Sequence, residues 1–206
     1  MPPTKKLFKN FIVPQTTAVS PNLSTNRAAL RRFLLAQRAS MGAQQRLKLE
    51  GEVLQRLTQH LADRIAPNSV VSLYSPHAGE LNILRLLQLL PLLRYALPVV
   101  IAPRQALSFA PWATGDELSA DRYGIATPST TERVTPDVVM MPCVGYSQQL
   151  GKTYRVGYGG GYYDRTVAAL LANNPQLTTI GIALRSSECV FDVQPHDAAL
   201  DTLIAV

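Results

Sequence analysis

The chain has 206 residues, 47% of them hydrophobic and 17% charged, which suits a packed α/β domain and excludes a chain disordered over most of its length. Two cysteines, Cys143 and Cys189, are too few for a disulfide framework and lack metal-ligand spacing, so the expected compartment is the cytoplasm. No apolar run is long and uncharged enough for a membrane span, and we predict no membrane partner.

The net charge of +6 is concentrated before Glu50, the first acidic residue. Residues 1–24 contain four prolines and no hydrophobic period, and they are predicted to form a flexible tail. A targeting segment, contact with nucleic acid and phosphate binding by a basic helix are the alternatives for this basic region. Because only Phe8, Phe11 and Phe33 could serve as stacking platforms, we expect no nucleic-acid partner.

Two helices are predicted to follow the tail. Ser24 or Thr25 can cap the first helix, which runs through Arg38 and is broken by Gly42. The second helix is predicted over residues 43–65, and leucines form most of its apolar side. A proline shortly after residue 65 ends it.

Strands and helices then alternate along the chain. Short β-branched or apolar runs predict strands, the third of them at a sheet edge, and two longer stretches predict helices. The residues between, 113–136 and 143–161, are predicted to be long connections. The strands are predicted at 69–74, 96–102, 106–112, 137–141, 178–183 and 202–206, and the helices at 79–92 and 162–172.

This alternation predicts an α/β fold with three layers: a mainly parallel sheet with helices on both faces, Rossmann-like, after an N-terminal helical hairpin. We expect residues 25–206 to form a single catalytic domain. In sheets of this kind the ligand site lies beyond the carboxyl ends of the strands. A glycine-rich segment follows one such strand end, after Met141, and is the first candidate for that site.

The segment Arg155-Val-Gly-Tyr-Gly-Gly-Gly-Tyr-Tyr-Asp-Arg165 is the most informative part of the sequence. Its glycines let the backbone approach an anion and adopt positive φ. The helix predicted to follow directs its unpaired N–H groups and positive dipole end to the same place, and the flanking arginines add charge that suits phosphate. The glycines of this loop are Gly157, Gly159, Gly160 and Gly161.

The glycine loop differs from two common nucleotide-binding motifs. No Gly-Lys-Ser/Thr follows it, as a Walker A motif requires, and it has neither the spacing nor the later acidic residue of a dinucleotide fingerprint. A flexible glycine turn is the alternative, but a turn leaves the flanking Arg155 and Arg165 unexplained.

Asp164 stands at the start of the helix that follows the loop. A carboxylate beside bound phosphates is favourable when a cation bridges them, so Mg²⁺ is implied. The alternative is a carboxylate that only complements the helix dipole. A second candidate is Asp197, although a His-Asp pair such as His196-Asp197 is by itself more typical of a loop or a cap.

The glycine loop with its flanks resembles the signature of the 5-formyltetrahydrofolate cyclo-ligase family, also called methenyltetrahydrofolate synthetases. Other segments fall in the order of that family and extend the resemblance over most of the chain from about residue 25. These segments are Arg27-Ala-Ala-Leu-Arg31, Leu73-Tyr-Ser75 with Glu80, Pro98 to Arg104, Gly124-Ile-Ala-Thr-Pro128, Met141-Pro142, and His196-Asp197 with Asp201.

The resemblance implies ATP-dependent closure of 5-formyltetrahydrofolate to 5,10-methenyltetrahydrofolate, with release of ADP and phosphate. The formyl oxygen would be phosphorylated, and N10 would then attack the formyl carbon. Phosphoryl transfer of this kind depends on positioning and charge rather than on a protein nucleophile. We therefore expect ATP and Mg²⁺ as cofactors, a small folate as substrate, and a monomeric protein.

The resemblance also assigns roles by position. Asp164 and Asp197 would hold Mg²⁺, and Arg155 and Tyr163 are the catalytic candidates. ATP binding falls to Arg27, Arg31, Arg155, Val156, Gly157, Tyr158, Gly159, Gly160, Gly161, Tyr162 and Tyr163. Folate binding falls to Tyr74, Ser75, Glu80, Tyr158, Gly160 and Tyr162. Cys143 has no assignable partner and is predicted to be a strand-end residue rather than a nucleophile.

Three features depart from the family pattern. Arg27 stands where lysine is usual, three residues separate Gly151 from Arg155, and the segment Arg185–Glu188 lacks a glutamine often found there. Two alternatives therefore stay open: an ATP-binding relative with another substrate, and a basic module that binds RNA or a protein partner. A common cleft for the three candidate carboxylates favours an enzyme, whereas a continuous basic face without such a cleft favours the binding module.

Overall fold

The computed structural model describes residues 26–206, and the predicted tail at residues 1–24 lies outside them. Helix α1 (Arg27–Ala39) is capped by Asn26, whose side-chain oxygen accepts a hydrogen bond from the Ala29 N–H at 3.0 Å. The predicted caps, Ser24 and Thr25, also lie outside the described residues, and the prediction placed the cap too early.

Helix α2 (Ala43–Ala62) begins after Gly42, whose backbone is extended at φ −66° and ψ 151°. The predicted break between the two helices is therefore confirmed, although α2 ends three residues before residue 65. Helices α1 and α2 are consecutive, as the predicted helical hairpin requires, but their buried leucines belong to different clusters of the core. The buried side of each helix therefore packs against its own part of the core.

Six strands form the central sheet: β1 (Val70–Ser72), β2 (Arg94–Val99), β3 (Ser108–Pro111), β6 (Val138–Pro142), β9 (Thr178–Ala183) and β11 (Thr202–Ala205). Their order across the sheet is β11-β9-β6-β1-β2-β3. Neighbouring strands pair in parallel except β2 and β3, which pair antiparallel. Because β3 stands at one end of this order, it forms an edge of the sheet, as predicted. The mainly parallel sheet is confirmed.

Both faces of this sheet are covered. Along β6 the buried side chains alternate: Val138 and Met140 belong to a cluster that contains the apolar side of α2, while Val139 and Met141 belong to a second cluster. The second cluster contains the buried side of the helix α4 (Tyr162–Leu171). The short helix α3 (Leu86–Leu89) joins α2 on the first face. The predicted three-layer α/β fold is confirmed.

A small antiparallel sheet occupies residues predicted to be a long connection, 143–161. Strands β7 (Gly145–Gln149) and β8 (Lys152–Val156) form a hairpin, to which β10 (Ala199–Leu200) adds a third strand. Its two turn residues, Leu150 and Gly151, have φ of 52° and 75°, as a tight type I′ turn requires. The prediction was wrong here because leucine is an unusual residue in such a turn. The three residues between Gly151 and Arg155 are strand residues.

A second hairpin lies within the predicted connection at 113–136. Strands β4 (Leu118–Ala120) and β5 (Ala126–Pro128) pair antiparallel. Asp121 holds the turn between them, because its carboxylate accepts hydrogen bonds from the N–H groups of Tyr123 and Ile125 at 2.8 and 2.9 Å. The hairpin thereby presents Tyr123 at a fixed place beside the cleft described below.

The helix predicted over residues 79–92 is wrong except for α3. Ala78 and Gly79 have φ of 46° and 77°, values that a right-handed helix does not contain, so no helix can begin there. Two side chains then bind nearby backbone groups in place of helical hydrogen bonds: Glu80 accepts from the His77 N–H at 2.9 Å, and Asn82 accepts from the Leu84 N–H at 3.0 Å. The result is an irregular segment that places Glu80 at the carboxyl end of β1.

Candidate active site

A cleft of about 690 Å³ opens beyond the carboxyl ends of the parallel strands, between the segments that follow β1 and β2 and the glycine loop that follows β8. Every residue assigned to a site from the sequence lines it. These residues are Arg27, Arg31, Tyr74, Ser75, Glu80, Arg155, Val156, Gly157, Tyr158, Gly159, Gly160, Gly161, Tyr162, Tyr163, Asp164 and Asp197. The three candidate carboxylates therefore face a common cleft.

The glycine loop crosses this cleft in a conformation that needs glycine at two positions. Gly159 has φ of +96°, and Gly161 has φ of +64° and precedes the first turn of α4. A Cβ atom at Gly159 would also lie only 3.0 Å from the guanidinium carbon of Arg31. Arg31 in turn holds the loop, because its Nε donates a hydrogen bond to the Gly157 carbonyl at 2.7 Å.

One side of the cleft, which we call the arginine wall, contains Arg27, Arg155, Asp164 and Asp197. Arg155 is buried beside Asp164, with 3.3 Å between Nη2 and Oδ2, and its guanidinium lies 5.1 Å from the ring centroid of Tyr163. Arg27 forms an ion pair with Asp197. Each carboxylate of this wall thus faces a guanidinium.

The two carboxylates of the arginine wall are brought close by the backbone. Asp164 Oδ1 lies 3.5 Å from the N–H nitrogen of Ala198, the residue after Asp197. Partial burial raises the pKa of Asp197, but hydrogen bonds from Arg27 and from the Gln194 N–H outweigh it and hold the pKa below its ordinary value. The carboxylate is therefore ionised at neutral pH, as its ion pair with Arg27 requires.

The opposite side of the cleft, the Glu80 wall, contains Tyr74, Ser75, Glu80 and Tyr158. Glu80 is only 8% exposed, and its carboxylate accepts hydrogen bonds from the Tyr158 hydroxyl at 2.8 Å and from the His77 N–H at 2.9 Å. Burial raises the pKa of Glu80 despite these hydrogen bonds, which act to lower it. A buried acceptor pair of this kind suits a ligand that offers N–H donors.

The other two hydroxyl groups of this wall, those of Tyr74 and Ser75, donate hydrogen bonds to backbone carbonyls. Tyr74 donates to the Leu81 carbonyl at 2.9 Å, and Ser75 donates to the Ala126 carbonyl. Burial raises the pKa of Tyr74 well above its ordinary value, so its hydroxyl stays protonated. Tyr74 and Ser75 therefore shape the wall and connect it to the β4–β5 hairpin.

Comparison with known proteins assigns the chain to a family. The sequence pattern of the 5-formyltetrahydrofolate cyclo-ligase family matches residues 23–206. The chain belongs to this family. A 5-formyltetrahydrofolate cyclo-ligase of Mycoplasma pneumoniae is 26% identical over 182 residues, which cover 87% of this chain and 98% of the relative. The protein is accordingly an enzyme of the ligase class.

Two solved structures of family members share the fold. The 5,10-methenyltetrahydrofolate synthetase of Mycoplasma pneumoniae has a TM-score of 0.69 at 24% identity, with 87% of this chain and 98% of that chain covered. The synthetase of Aquifex aeolicus has a TM-score of 0.70 at 24% identity, with coverage of 87% and 89%. The α/β architecture is thus common to the family.

The described part of the chain contains neither a membrane-spanning helix nor a cluster of metal-binding side chains. Between residues 26 and 206, no helix is both long and apolar enough to cross a bilayer. In the same part of the chain, no three His, Cys, Asp or Glu side chains gather into a metal site.

Sequence reasoning missed two residues near the family site. Tyr123, on the β4–β5 turn, lines the cleft, and its hydroxyl lies 2.6 Å from that of Tyr162. The sequence feature that could have indicated Tyr123 is its position directly before the family-like segment Gly124–Pro128. Arg38 is buried on α1 in line with Leu30 and Leu34. A charged residue at four-residue spacing on an apolar helix face was the signal for Arg38.

A second cleft, of about 740 Å³, lies across the glycine loop from the first. The two clefts share Gly159 to Gly161, Asp164, His196 and Asp197 as lining residues. Arg104 and Arg165 line only the second cleft, and neither forms an ion pair with a carboxylate among residues 26–206. The glycine loop therefore borders both clefts.

Cys143 follows β6 directly, as the prediction of a strand-end residue requires. It is 2% exposed, and burial raises its pKa to about 11. The thiol is therefore protonated at neutral pH and is a poor nucleophile. The expectation of a mechanism without a cysteine nucleophile is consistent with this environment.

Proposed function

We propose that the protein cyclises 5-formyltetrahydrofolate to 5,10-methenyltetrahydrofolate, with ATP converted to ADP and phosphate. The observation that carries the proposal is the convergence of Glu80, Asp164 and Asp197 on one cleft with the glycine loop, in a chain that belongs to the cyclo-ligase family. The second cleft across the same loop supports a reaction of two substrates that meet at this loop.

The chemistry requires activation of a poor leaving group. The formyl oxygen attacks the γ-phosphorus of ATP, a P–O bond to the formyl group forms, and the bond from the γ-phosphorus to ADP breaks. N10 then attacks the formyl carbon and loses its proton to solvent, and the carbon–oxygen bond breaks with release of phosphate. Both steps demand alignment and a place for negative charge, which the protein supplies by position rather than by covalent catalysis.

We assign the negative charge of the transferred phosphoryl group to Arg155 and to the backbone N–H groups of the glycine loop. Arg155 is buried and stacked against Tyr163, so it is held in place before substrate binds. Burial raises the pKa of Tyr163, which keeps its hydroxyl neutral beside this charge. Arg27 and Arg31 would hold the remaining phosphates from helix α1.

The arginine wall also fits Mg²⁺. This cation is usually bound by one or two carboxylates together with substrate phosphates. Asp164 and Asp197 line both clefts, beside the glycine loop. When bound, the ion would neutralise phosphate charge. Both carboxylates are now paired with guanidinium groups, so the arriving phosphates would take over Arg155 and Arg27 and leave the carboxylates to the cation.

We assign the folate to the Glu80 wall. The carboxylate of Glu80 would accept hydrogen bonds from the adjacent N–H groups of the pterin ring, while Tyr74, Tyr158, Tyr162 and Gly160 would border the ring. Placing the pterin there directs its N5-formyl group towards the loop. We further propose that the protein acts as a cytoplasmic monomer, which size-exclusion chromatography with light scattering would test.

The test is formation of the methenyl product, which absorbs at the ultraviolet edge of the visible range. Purified protein with Mg·ATP and 5-formyltetrahydrofolate should generate this absorbance together with equimolar ADP, and omission of ATP should abolish both. Folded protein that yields no product at high enzyme concentration would rule out this substrate. ATP hydrolysis stimulated by a different compound would then favour the alternative of a relative with another substrate.

A further inference from the structure

We propose that Arg38 is a positioning residue of this enzyme: it joins the end of β6 to Tyr158 and thereby holds the glycine loop against Glu80. The proposal rests on the proposed function for its kinetic part only. Four observations about Arg38 lead to it.

The first observation is where the charge lies. Arg38 is 5% exposed, on the face of α1 that buries Leu30 and Leu34. Among the residues described, no carboxylate forms an ion pair with it. Burying a guanidinium without an ionic partner costs free energy, and hydrogen bonds from both ends of the planar group must offset that cost.

The second observation is what the guanidinium contacts. Nη2 donates to the carbonyl of Cys143, the residue that follows β6, and Nη1 donates to the Tyr158 hydroxyl at 3.0 Å. Cys143 directly follows β6, an interior strand of the central sheet, whereas Tyr158 belongs to the glycine loop. One side chain therefore connects the frame of the protein to the segment that must be placed accurately.

The third observation concerns the direction of the hydrogen bonds. Arginine can only donate, so the oxygen of Tyr158 accepts from Arg38 and its single proton is free to go elsewhere. That proton is donated to Glu80 Oε1 at 2.8 Å. The chain from Arg38 through Tyr158 to Glu80 thus has one polarity, and the positive charge at its origin favours the carboxylate at its end.

The fourth observation is which part of the cleft the chain reaches. Tyr158 and Glu80 belong to the Glu80 wall, assigned above to the folate, and Arg38 does not itself line that cleft. The arginine wall is held by a separate set of contacts, namely those of Arg27, Arg31 and Arg155. Loss of Arg38 should therefore weaken folate binding more than nucleotide binding.

The experiment compares Arg38→Met with Arg32→Met, a matched control that removes an exposed arginine from the same helix. We expect Arg38→Met to raise KM for 5-formyltetrahydrofolate about tenfold, the loss expected for a hydrogen bond that involves charged groups. KM for Mg·ATP should rise by no more than about threefold, because Arg27, Arg31 and Arg155 stay in place while the glycine loop loosens, and Arg32→Met should change neither constant.

A double-mutant cycle tests the route of the effect. If Arg38 acts through the Tyr158 hydroxyl, Tyr158→Phe alone should raise the folate KM by a similar factor. The double variant should then raise it far less than the product of the two single effects. Independent, multiplicative effects would overturn the proposed chain.

A structural readout separates this proposal from the proposed function. Backbone hydrogen exchange of residues 157–161 should be about tenfold faster in Arg38→Met than in wild type or Arg32→Met, without any substrate. If wild type makes no product, the function fails and the exchange measurement still decides the role of Arg38. If Arg38→Met does not fold, Arg38→Lys is the substitute, because lysine keeps the charge but cannot donate to both acceptors from a planar group. Smaller increases in the folate KM and in the exchange rate of residues 157–161 are then expected. Wild-type exchange in a folded variant, with an unchanged folate KM, would refute the positioning role.

Discussion

On the arginine wall of the cleft, Asp164 and Asp197 each face a guanidinium, whereas on the Glu80 wall the carboxylate is held by a tyrosine hydroxyl and a backbone N–H. The pKa of Asp197 is lowered as a result, and the pKa of Glu80 is raised by its burial. The same functional group is therefore prepared for two different partners.

The contrast has a physical basis. Guanidinium partners can be exchanged for phosphate, so a carboxylate that loses its arginine remains ionised and can bind a cation. A buried carboxylate whose hydrogen bonds come from neutral donors has weaker compensation for its charge, and it gains most from a ligand that brings further N–H groups. The two walls meet at the glycine loop, so substitutions in the loop should affect both, and substitutions in one wall should affect one substrate.

Gly159→Ala should have the largest effect, because Gly159 belongs to the shared loop. Alanine at φ +96° is strained, and its Cβ would lie 3.0 Å from the Arg31 guanidinium. We expect kcat/KM to fall by on the order of 100-fold for both substrates, as steady-state kinetics would measure. Gly115→Ala is the control, since Gly115 has φ +97° with no atom within 4 Å of the added Cβ. Equal losses in the two variants would attribute the effect to strain alone.

Asp164→Asn should come next and should affect the arginine wall. The substitution removes one carboxylate proposed for Mg²⁺ and leaves Arg155 without its ionic partner. We expect kcat to fall by roughly 100-fold and the Mg²⁺ requirement to rise, and the thermal midpoint should also fall because the buried Arg155 guanidinium loses its ionic partner. Asp63→Asn, an exposed substitution, serves as control. Unchanged turnover and unchanged Mg²⁺ dependence would make the metal assignment wrong.

Glu80→Gln should affect the other wall. The amide keeps the shape but loses the charge and one acceptor, so the folate KM should rise about tenfold while KM for Mg·ATP stays constant. Glu132→Gln, on the surface, is the control. A rise in KM for ATP instead would mean that the nucleotide, not the folate, lies against Glu80.

The same variant tests the pKa of Glu80 through stability. Because the folded pKa is raised above the ordinary value of 4.5, the native state binds more protons than the unfolded state in the window just above that pH. The favourable contribution of protonated Glu80 is present below the ordinary pKa and is lost as pH rises through the folded pKa. Denaturant unfolding of wild type relative to Glu80→Gln should show this loss as pH rises above 4.5. A pH-independent difference would contradict the raised pKa.

How far the sequence predicts this molecule differs between its two larger sheets. The strands of the central sheet are short apolar runs such as Val138–Pro142, buried on both faces, and composition alone identifies them. The hairpin of β7 and β8 lacks that pattern, and its turn uses Leu150 at positive φ, where propensity predicts no leucine. Tertiary pairing with β10 stabilises it, and no local rule reports such pairing.

The candidate site was more predictable than the fold around it. Glycines and arginines at fixed spacing indicate an anion loop, because the chemistry restricts the residue types. Arg38 and Tyr123 have no such restriction: each acts through a partner, Tyr158 or Tyr162, that is distant in sequence. Residues of this kind emerge only when the fold brings the partners together.

Tyr123→Phe should have the smallest effect, and it asks whether the β4–β5 hairpin belongs to either wall. The substitution removes the hydroxyl bond of 2.6 Å to Tyr162 but keeps the ring, which packs edge to face against Tyr162. Because the bond is exposed, its loss should change the folate KM by no more than about threefold and leave kcat unchanged. Tyr162→Phe breaks the same bond from the other partner, so initial rates should change equally in the two variants. A larger effect of Tyr162→Phe would indicate that its hydroxyl contacts substrate directly, and a large effect of Tyr123→Phe on the ATP KM would place the hairpin beside the arginine wall.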